Sequence, residues 1–250
     1  VPAILSQVGS KGKGSGVARD ALAGALRIQP AWEQDARAQG YARIAGVDEA
    51  GRGCLFGPVV AAAVILRHPH GLRGVNDSKQ LSEQQRETAY QQITTRALCW
   101  ATAAVDARTI DSINILEASR LAMVLAVQAL SEAADFLLTD AMRLPLPLPQ
   151  VPLIHGDARC RSIAAASILA KVTRDRSMRE WERIYPGYGL ASNKGYGSAV
   201  HLAALRAKGA TPQHRFSYRP VREACAALPG LGWEKSVLTS SQAELQLELF

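Results

Sequence analysis

Between Arg43 and Gly53 the chain reads Arg-Ile-Ala-Gly-Val-Asp-Glu-Ala-Gly-Arg-Gly, an apolar stretch that ends on two adjacent carboxylates and is then broken by glycines. A run this short and apolar, bounded by glycine, is expected as a buried strand. The run from Pro58 to Leu66 is of the same kind, so the two predict a hairpin across a glycine-containing turn. Acids at the end of a buried strand constrain the fold further. Like charges withdrawn from water repel and hold their protons unless a cation neutralises them. Because adjacent residues of a regular strand face opposite sides, Glu49 is expected where the strand ends or bulges.

Ser82 followed by Gln85 is a capping-box pattern and predicts a helix to about Arg96, with a third strand at Ala97–Val105. Apolar residues at helical spacing (Ile113, Leu116, Leu121, Val124, Leu125) predict a helix from Ile113 to Leu130, delivering a strand at Asp135–Thr139 that ends on Asp140. The Leu-Pro alternation at 144–149 excludes regular helix and predicts an irregular excursion before a short strand at Val151–His155. A long helix is expected at about Ser162–Ile184. Glycines and aromatics break the chain at 186–197, a helix then runs to about Lys208 with Gly209 as its stop, and a last helical piece lies near 220–227. Strands in a meander, then alternating with helices, predict an α/β domain with a mixed sheet, helices on its faces and a helical C-terminal cap. The domain is expected over 41–228. Residues 1–40, with the basic stretch Lys11-Gly12-Lys13-Gly14-Ser15-Gly16, read as a weakly ordered extension, and 229–250 as a flexible tail.

Composition narrows the partners. Across 250 residues, 29 Lys+Arg against 22 Asp+Glu give a formal charge of +7, which favours polyanions through counterion release from phosphates. The four cysteines are far apart and form no Cys-x-x-Cys pair, so they predict neither a zinc site nor a disulfide framework and fit a reducing cytoplasm. No apolar run reaches the roughly 18 residues of a membrane span, and the first residues lack the order of a signal peptide. A cytoplasmic monomer is expected.

Four carboxylates fall at or just beyond predicted strand ends: Asp48, Glu49, Asp140 and Asp157. Taken singly, each reads as a solvated cap or turn residue. Together, and without His or Cys companions, they suit a hard cation such as Mg2+ or Mn2+. Two such ions roughly 3.5–4 Å apart can serve phosphodiester hydrolysis with no side-chain nucleophile. Gly51 and Gly53 permit close backbone approach beside Arg52, which suits a phosphate or a sugar hydroxyl.

At this point the sequence resembles the bacterial ribonuclease HII family of type 2 ribonucleases H. The resemblance rests on Gly46-Val47-Asp48-Glu49-Ala50-Gly51-Arg52-Gly53, on Asn76-Asp77-Ser78-Lys79-Gln80-Leu81-Ser82 and on Asn114-Ile115-Leu116-Glu117-Ala118. It continues through His155-Gly156-Asp157, the block from Ala165 to Asp175, and Asn193-Lys194-Gly195-Tyr196-Gly197. It implies a ribonuclease H-like fold and a Mg2+- or Mn2+-dependent endonuclease acting on RNA–DNA hybrids and on ribonucleotide-containing duplex DNA. The implied products carry 5′-phosphate and 3′-hydroxyl ends, and the implied uses are primer removal and ribonucleotide excision. Asp48, Glu49, Asp140 and Asp157 become the catalytic metal ligands. Gly51, Arg52 and Gly53 become the loop that recognises the ribose 2′-hydroxyl, which separates RNA from DNA. Tyr196 would stack on the following deoxyribose, with Lys79, Ser167 and Lys171 as phosphate contacts. One departure touches the site: where the family has Asp-Gly after the fourth strand, this chain has Asp140-Ala141.

Of the remaining residues, Asp175 among Lys171, Arg174 and Arg176 is expected in a surface ion pair. His201 is open between a structural role and a phosphate contact, and His68, His70, His155 and His214 show no ligand spacing. The terminal Gln246-Leu247-Glu248-Leu249-Phe250 resembles the peptide by which bacterial replication proteins dock on the sliding clamp, with a tail packed on its own domain as the alternative. Two rival functions stay in view. A junction resolvase of the same fold would share the carboxylates without needing Gly-Arg-Gly and Tyr196, whereas a noncatalytic nucleic-acid adaptor would need none of the four acids.

Overall fold

The computed structural model describes residues 31–67 and 81–227. Its elements in chain order are α1 (Ala31–Ala38), β1 (Ile44–Ala50), β2 (Val59–Leu66), α2 (Glu83–Arg96), β3 (Ala97–Val105), α3 (Ala107–Gln128), β4 (Phe136–Asp140), β5 (Gln150–Leu153), α4 (Arg161–Ile184), α5 (Leu190–Asn193), α6 (Ala199–Lys208) and α7 (Arg219–Ala226). The strands form one mixed sheet in the order β3-β2-β1-β4-β5. β1, β2 and β3 are an antiparallel meander, while β4 and β5 run parallel to β1. The expected hairpin, mixed sheet and helical C-terminal region are all present.

β2 is buried along its whole length, which is why it reads as a continuous apolar run and shows no alternation. Its odd-numbered residues Val59, Ala61, Ala63 and Ile65 pack with α3, and its even-numbered residues Ala62, Val64 and Leu66 pack with α2 and α4. Gly46 lets α4 lie close against β1, since a Cβ there would stand 2.1 Å from the Ser162 carbonyl carbon. A third apolar cluster joins Leu55 and Phe56 to Met178, Trp181, Leu190, Leu205 and Val221, binding the C-terminal helices to the turn after β1.

Two local features differ from the sequence expectation, and the Leu-Pro excursion is irregular as expected. Residues 31–38 form a helix within the span expected to be weakly ordered, and Ala36 and Trp32 pack against β1, β4 and β5. Its buried Glu33 accepts from the Ser162 N–H at 2.7 Å, capping α4, whose own N-cap Cys160 supplies no side-chain bond. α3 begins at Ala107 and breaks at Asn114 (φ 68°), whose Oδ1 accepts from the Leu116 and Glu117 N–H groups and restarts the helix. The Leu-Pro excursion is braced by Gln150, whose side chain bonds the Leu144 N–H at 2.7 Å and the Leu144 carbonyl at 2.9 Å. The capping box of Ser82 and Gln85 is present as expected.

Candidate active site

β1, β4 and β5 run parallel, so their carboxyl ends meet at one edge of the sheet, where α/β folds build sites. Asp48 and Asp140 stand one residue beyond the paired Val47 and Thr139. No bulge displaces Glu49: β1 keeps regular register with β2 through Glu49 opposite Ala61 and ends at Ala50. Glu49 thus stands at the strand end, one of the two places expected for it. Asp48 lies on the α4 side, where the Ser167 hydroxyl bonds it, and Glu49 lies on the other, with Asp140 within electrostatic reach of both.

The electrostatics follow from this crowding. Burial, then the Glu49 and Asp140 charges, raise Asp48 well above the ordinary carboxylate range, against hydrogen bonds from Ser167 and from the Glu49 N–H at 2.7 Å. Burial also raises Glu49, partly offset by Arg52, whose Nη1 lies 3.3 Å from Glu49 Oε1. Glu49 Oε2 is buried and has no hydrogen-bond partner. Asp140 Oδ1 accepts from the Gly156 N–H at 2.8 Å, which ties β4 to the short 3-10 turn Gly156–Ala158. Asp157, the next residue in that turn, is buried. An oxygen-only set in which burial raises Asp48 and Glu49 and leaves a carboxylate oxygen orphaned fits a hard divalent cation. Among the described residues, however, no three acid, imidazole or thiol groups form a closed ligand cage.

Ala141 takes the left-handed φ of 54°, the conformation that a glycine would adopt without strain. The turn survives because the Thr139 hydroxyl and the Met142 N–H close it onto the Met142 and Asp140 carbonyls. Asp140 therefore keeps its place at the strand end.

Beside the carboxylates, Arg52 and Gly53 are exposed at the surface. Gly51 is required twice: its φ is +95°, and a Cβ would lie 2.1 Å from Arg174 Nε. Tyr196 is 44% exposed, and its ring is the nearest neighbour of Gly53, 3.9 Å from where a Cβ would be. Two buried arginines underlie this face. Arg174 donates to the carbonyls of Pro58 (3.0 Å), Lys194 (2.7 Å) and Phe56 (3.0 Å). Arg215 donates to those of Gly57 (2.9 Å) and Arg52 (2.8 Å).

A scan against family models matches residues 45–221 to Ribonuclease HII. The chain belongs to the ribonuclease HII family. It is 55% identical over 199 residues to the Ribonuclease HII of Solibacter usitatus (strain Ellin6076), covering 80% of this chain and 87% of that one. It is 56% identical over 191 residues to the Ribonuclease HII of Bacillus pumilus (strain SAFR-032), covering 76% and 75%. Among solved structures it is similar to the ribonuclease H2 of Pyrococcus horikoshii OT3, with TM-score 0.63 and 27% identity over 74% of this chain and 98% of that one. Membership makes the chain a ribonuclease H hydrolase of RNA–DNA hybrids. No described helix is long and apolar enough to cross a membrane.

Against the ribonuclease HII pattern, Asp48, Glu49 and Asp140 come within electrostatic reach of one another, and Asp157 follows Gly156, whose N–H bonds Asp140. Gly51, Arg52, Gly53 and Tyr196 form one neighbouring face. Lys171 and Ser167 are differently engaged from a simple phosphate contact: Lys171 Nζ pairs with Asp175 at 2.7 Å, and the Ser167 hydroxyl serves Asp48. Asp175 makes the expected ion pair, but it is buried and not at the surface. His201 is fully buried, which removes the phosphate contact and leaves the structural role. Lys79, His68, His70 and the tail residues Gln246, Leu247, Leu249 and Phe250 lie outside the described residues. Arg174, Arg215 and His214 escaped sequence reasoning, because their partners are backbone carbonyls and a ring brought near only by folding.

Proposed function

We propose that this ribonuclease HII cuts 5′ to ribonucleotides, including a single ribonucleotide embedded in duplex DNA, leaving 5′-phosphate and 3′-hydroxyl ends. Two divalent cations, Mg2+ or Mn2+, would be held by Asp48, Glu49, Asp140 and Asp157. Bound there, such ions supply charge stabilisation at the phosphodiester and a more acidic water. The observation that carries the reading is the contiguity of the exposed Arg52–Gly53 loop, the Tyr196 ring and the raised-pKa carboxylates. The loop takes the ribose 2′-hydroxyl and Tyr196 the next sugar, so the step from RNA to DNA is read beside the reacting phosphate. Arg52, tethered to Glu49, couples the two tasks.

The test is cleavage of labelled duplexes bearing one ribonucleotide, a ribonucleotide run or none, in Mg2+, Mn2+ or EDTA. Cutting is expected 5′ to the single ribonucleotide and within the run, with neither in EDTA and none in all-DNA duplex. Cleavage of the run alone would remove the junction reading, and cleavage in EDTA would remove the cation reading.

A further inference from the structure

His201 and His214 lie away from the carboxylate edge, and hydrolysis as described makes no use of them. Both are fully buried, with their Nε2 atoms 3.0 Å apart. Two ring nitrogens that close share one proton, and the neighbours decide which ring carries it. The Thr211 N–H donates to His214 Nδ1 at 2.9 Å, so the proton of the neutral His214 ring sits on Nε2. His214 Nε2–H then donates to His201 Nε2, which places the His201 proton on Nδ1. That Nδ1–H meets the Tyr196 carbonyl oxygen at 2.9 Å. Burial lowers both rings, His214 to about 3 with His201 as a further cause, so the neutral forms that this chain of donors needs are the ones present near neutral pH.

The residue after His214 reaches the other way. Arg215 Nη1 donates to the Arg52 carbonyl at 2.8 Å, and the Tyr218 hydroxyl donates to the same oxygen at 2.5 Å. The Arg215 N–H also bonds the Leu55 carbonyl at 2.9 Å. One short segment, 211–218, therefore holds the backbone of Arg52 directly and that of Tyr196 through His201. These are the residues on either side of the exposed face at Gly53.

We infer that segment 211–218, through the His214–His201 pair and Arg215, is the positioning element that sets Tyr196 against the Arg52 loop and so sets selectivity for an RNA-to-DNA step. The inference rests on the reading of Gly51–Gly53 and Tyr196 proposed above. Reading two successive sugars depends on the spacing between two contacts, and a misplacement of about 1 Å can cost on the order of 10²-fold in rate. His201, His214 and Arg215 act through Tyr196 and Arg52 without touching substrate.

The deciding quantity is kcat/KM on a single-ribonucleotide duplex divided by kcat/KM on a uniform RNA–DNA hybrid, with thermal unfolding of each variant alongside. His201→Phe keeps the ring volume and loses both hydrogen bonds, and is expected to lower the ratio by about five-fold or more. In a Tyr196→Ala background it should lower the ratio no further. His201→Asn keeps an amide donor near the position of Nδ1 and should recover at least about half of the lost selectivity; it also carries the test if the Phe variant does not fold. Equal losses on both substrates, full additivity with Tyr196→Ala, or no recovery in a folded His201→Asn variant would each overturn the inference. An unchanged ratio in Tyr196→Ala sinks the Tyr196 reading and this inference with it. A lowered ratio there, with His201→Phe unchanged, sinks the inference alone.

Discussion

Two buried charge clusters lie side by side, and they are satisfied in different ways. At the sheet edge Asp48, Glu49 and Asp140 crowd negative charge, with Arg52 as a half-exposed partner and one Glu49 oxygen left without a hydrogen bond. Beneath the adjoining loops, Arg174 and Arg215 bury positive charge with no carboxylate bonded to either among the described residues; five backbone carbonyls receive their donors, and Arg215 Nη2 alone is left without a partner. A guanidinium presents a fork of fixed donors that carbonyls can fill from one chain. Carboxylates crowded together cannot be satisfied by more carboxylates. The cationic cluster is thus held by the fold itself, that one donor excepted, whereas the anionic one, on the reading proposed above, takes a cation from outside, so the first is a brace where the second is a site.

That contrast predicts opposite signs for removing each charge. Asp48→Asn should lower cleavage of an RNA–DNA hybrid by at least about 10²- to 10³-fold, the loss typical when one electrostatic partner of a transition state is removed. The same variant should unfold at a higher temperature than the parent in EDTA at pH 7, because a raised-pKa acid has been replaced by a neutral amide. A metal-free variant less stable than the parent would show that Asp48 is a structural anion. Arg174→Met nearly preserves volume but strips donors from the carbonyls of Pro58, Lys194 and Phe56. Each orphaned buried acceptor costs about 1–3 kcal/mol, so the loss should be about 3 kcal/mol or more in denaturant unfolding. Neutral or stabilising behaviour would place both clusters in the same class and end the comparison.

How much of this was legible depends on how local each cause is. The Ser82–Gln85 capping box and the bounds of β3 are set by residues a few positions apart, and the sequence pattern located both. The carboxylates were legible because strand ends are visible as apolar runs meeting acids. Glu49 was expected where the strand ends or bulges, and it stands at the end of β1, without a bulge. α1 was missed because its reason for being ordered lies far along the chain, where Glu33 meets Ser162. Arg174 looked like one more cation on a basic helix, and only the loops after β1 and after α5 turn it inward. The histidine pair has no spacing signature, since Thr211, His201 and Tyr196 become its partners through the packing of α6.

The smallest expected effect sharpens the comparison most, because it separates the clusters by pH. Burial raises the folded-state pKa of Asp48 and of Glu49 above their ordinary values of 3.8 and 4.5. For an acid so raised, the folded state binds more protons than the unfolded state between the two pKa values, so stability falls as pH rises through that window. Below the unfolded values both states are protonated and the effect vanishes. In EDTA, this contribution should lower the unfolding midpoint of the parent relative to Asp48→Asn as pH rises from about 4 toward neutrality, by on the order of a few degrees for a domain of this size. Mn2+ or Mg2+ should restore the loss at neutral pH and have little effect near pH 4, where the carboxyls are protonated. His201 and His214, whose pKa values burial lowers, add a slope of the opposite sign to every variant that keeps them, so the comparison is made between variants. The parent and Arg174→Met should accordingly lose midpoint in parallel against Asp48→Asn as pH rises; the reverse pattern would assign the pH response to the braced loops and not to the sheet edge.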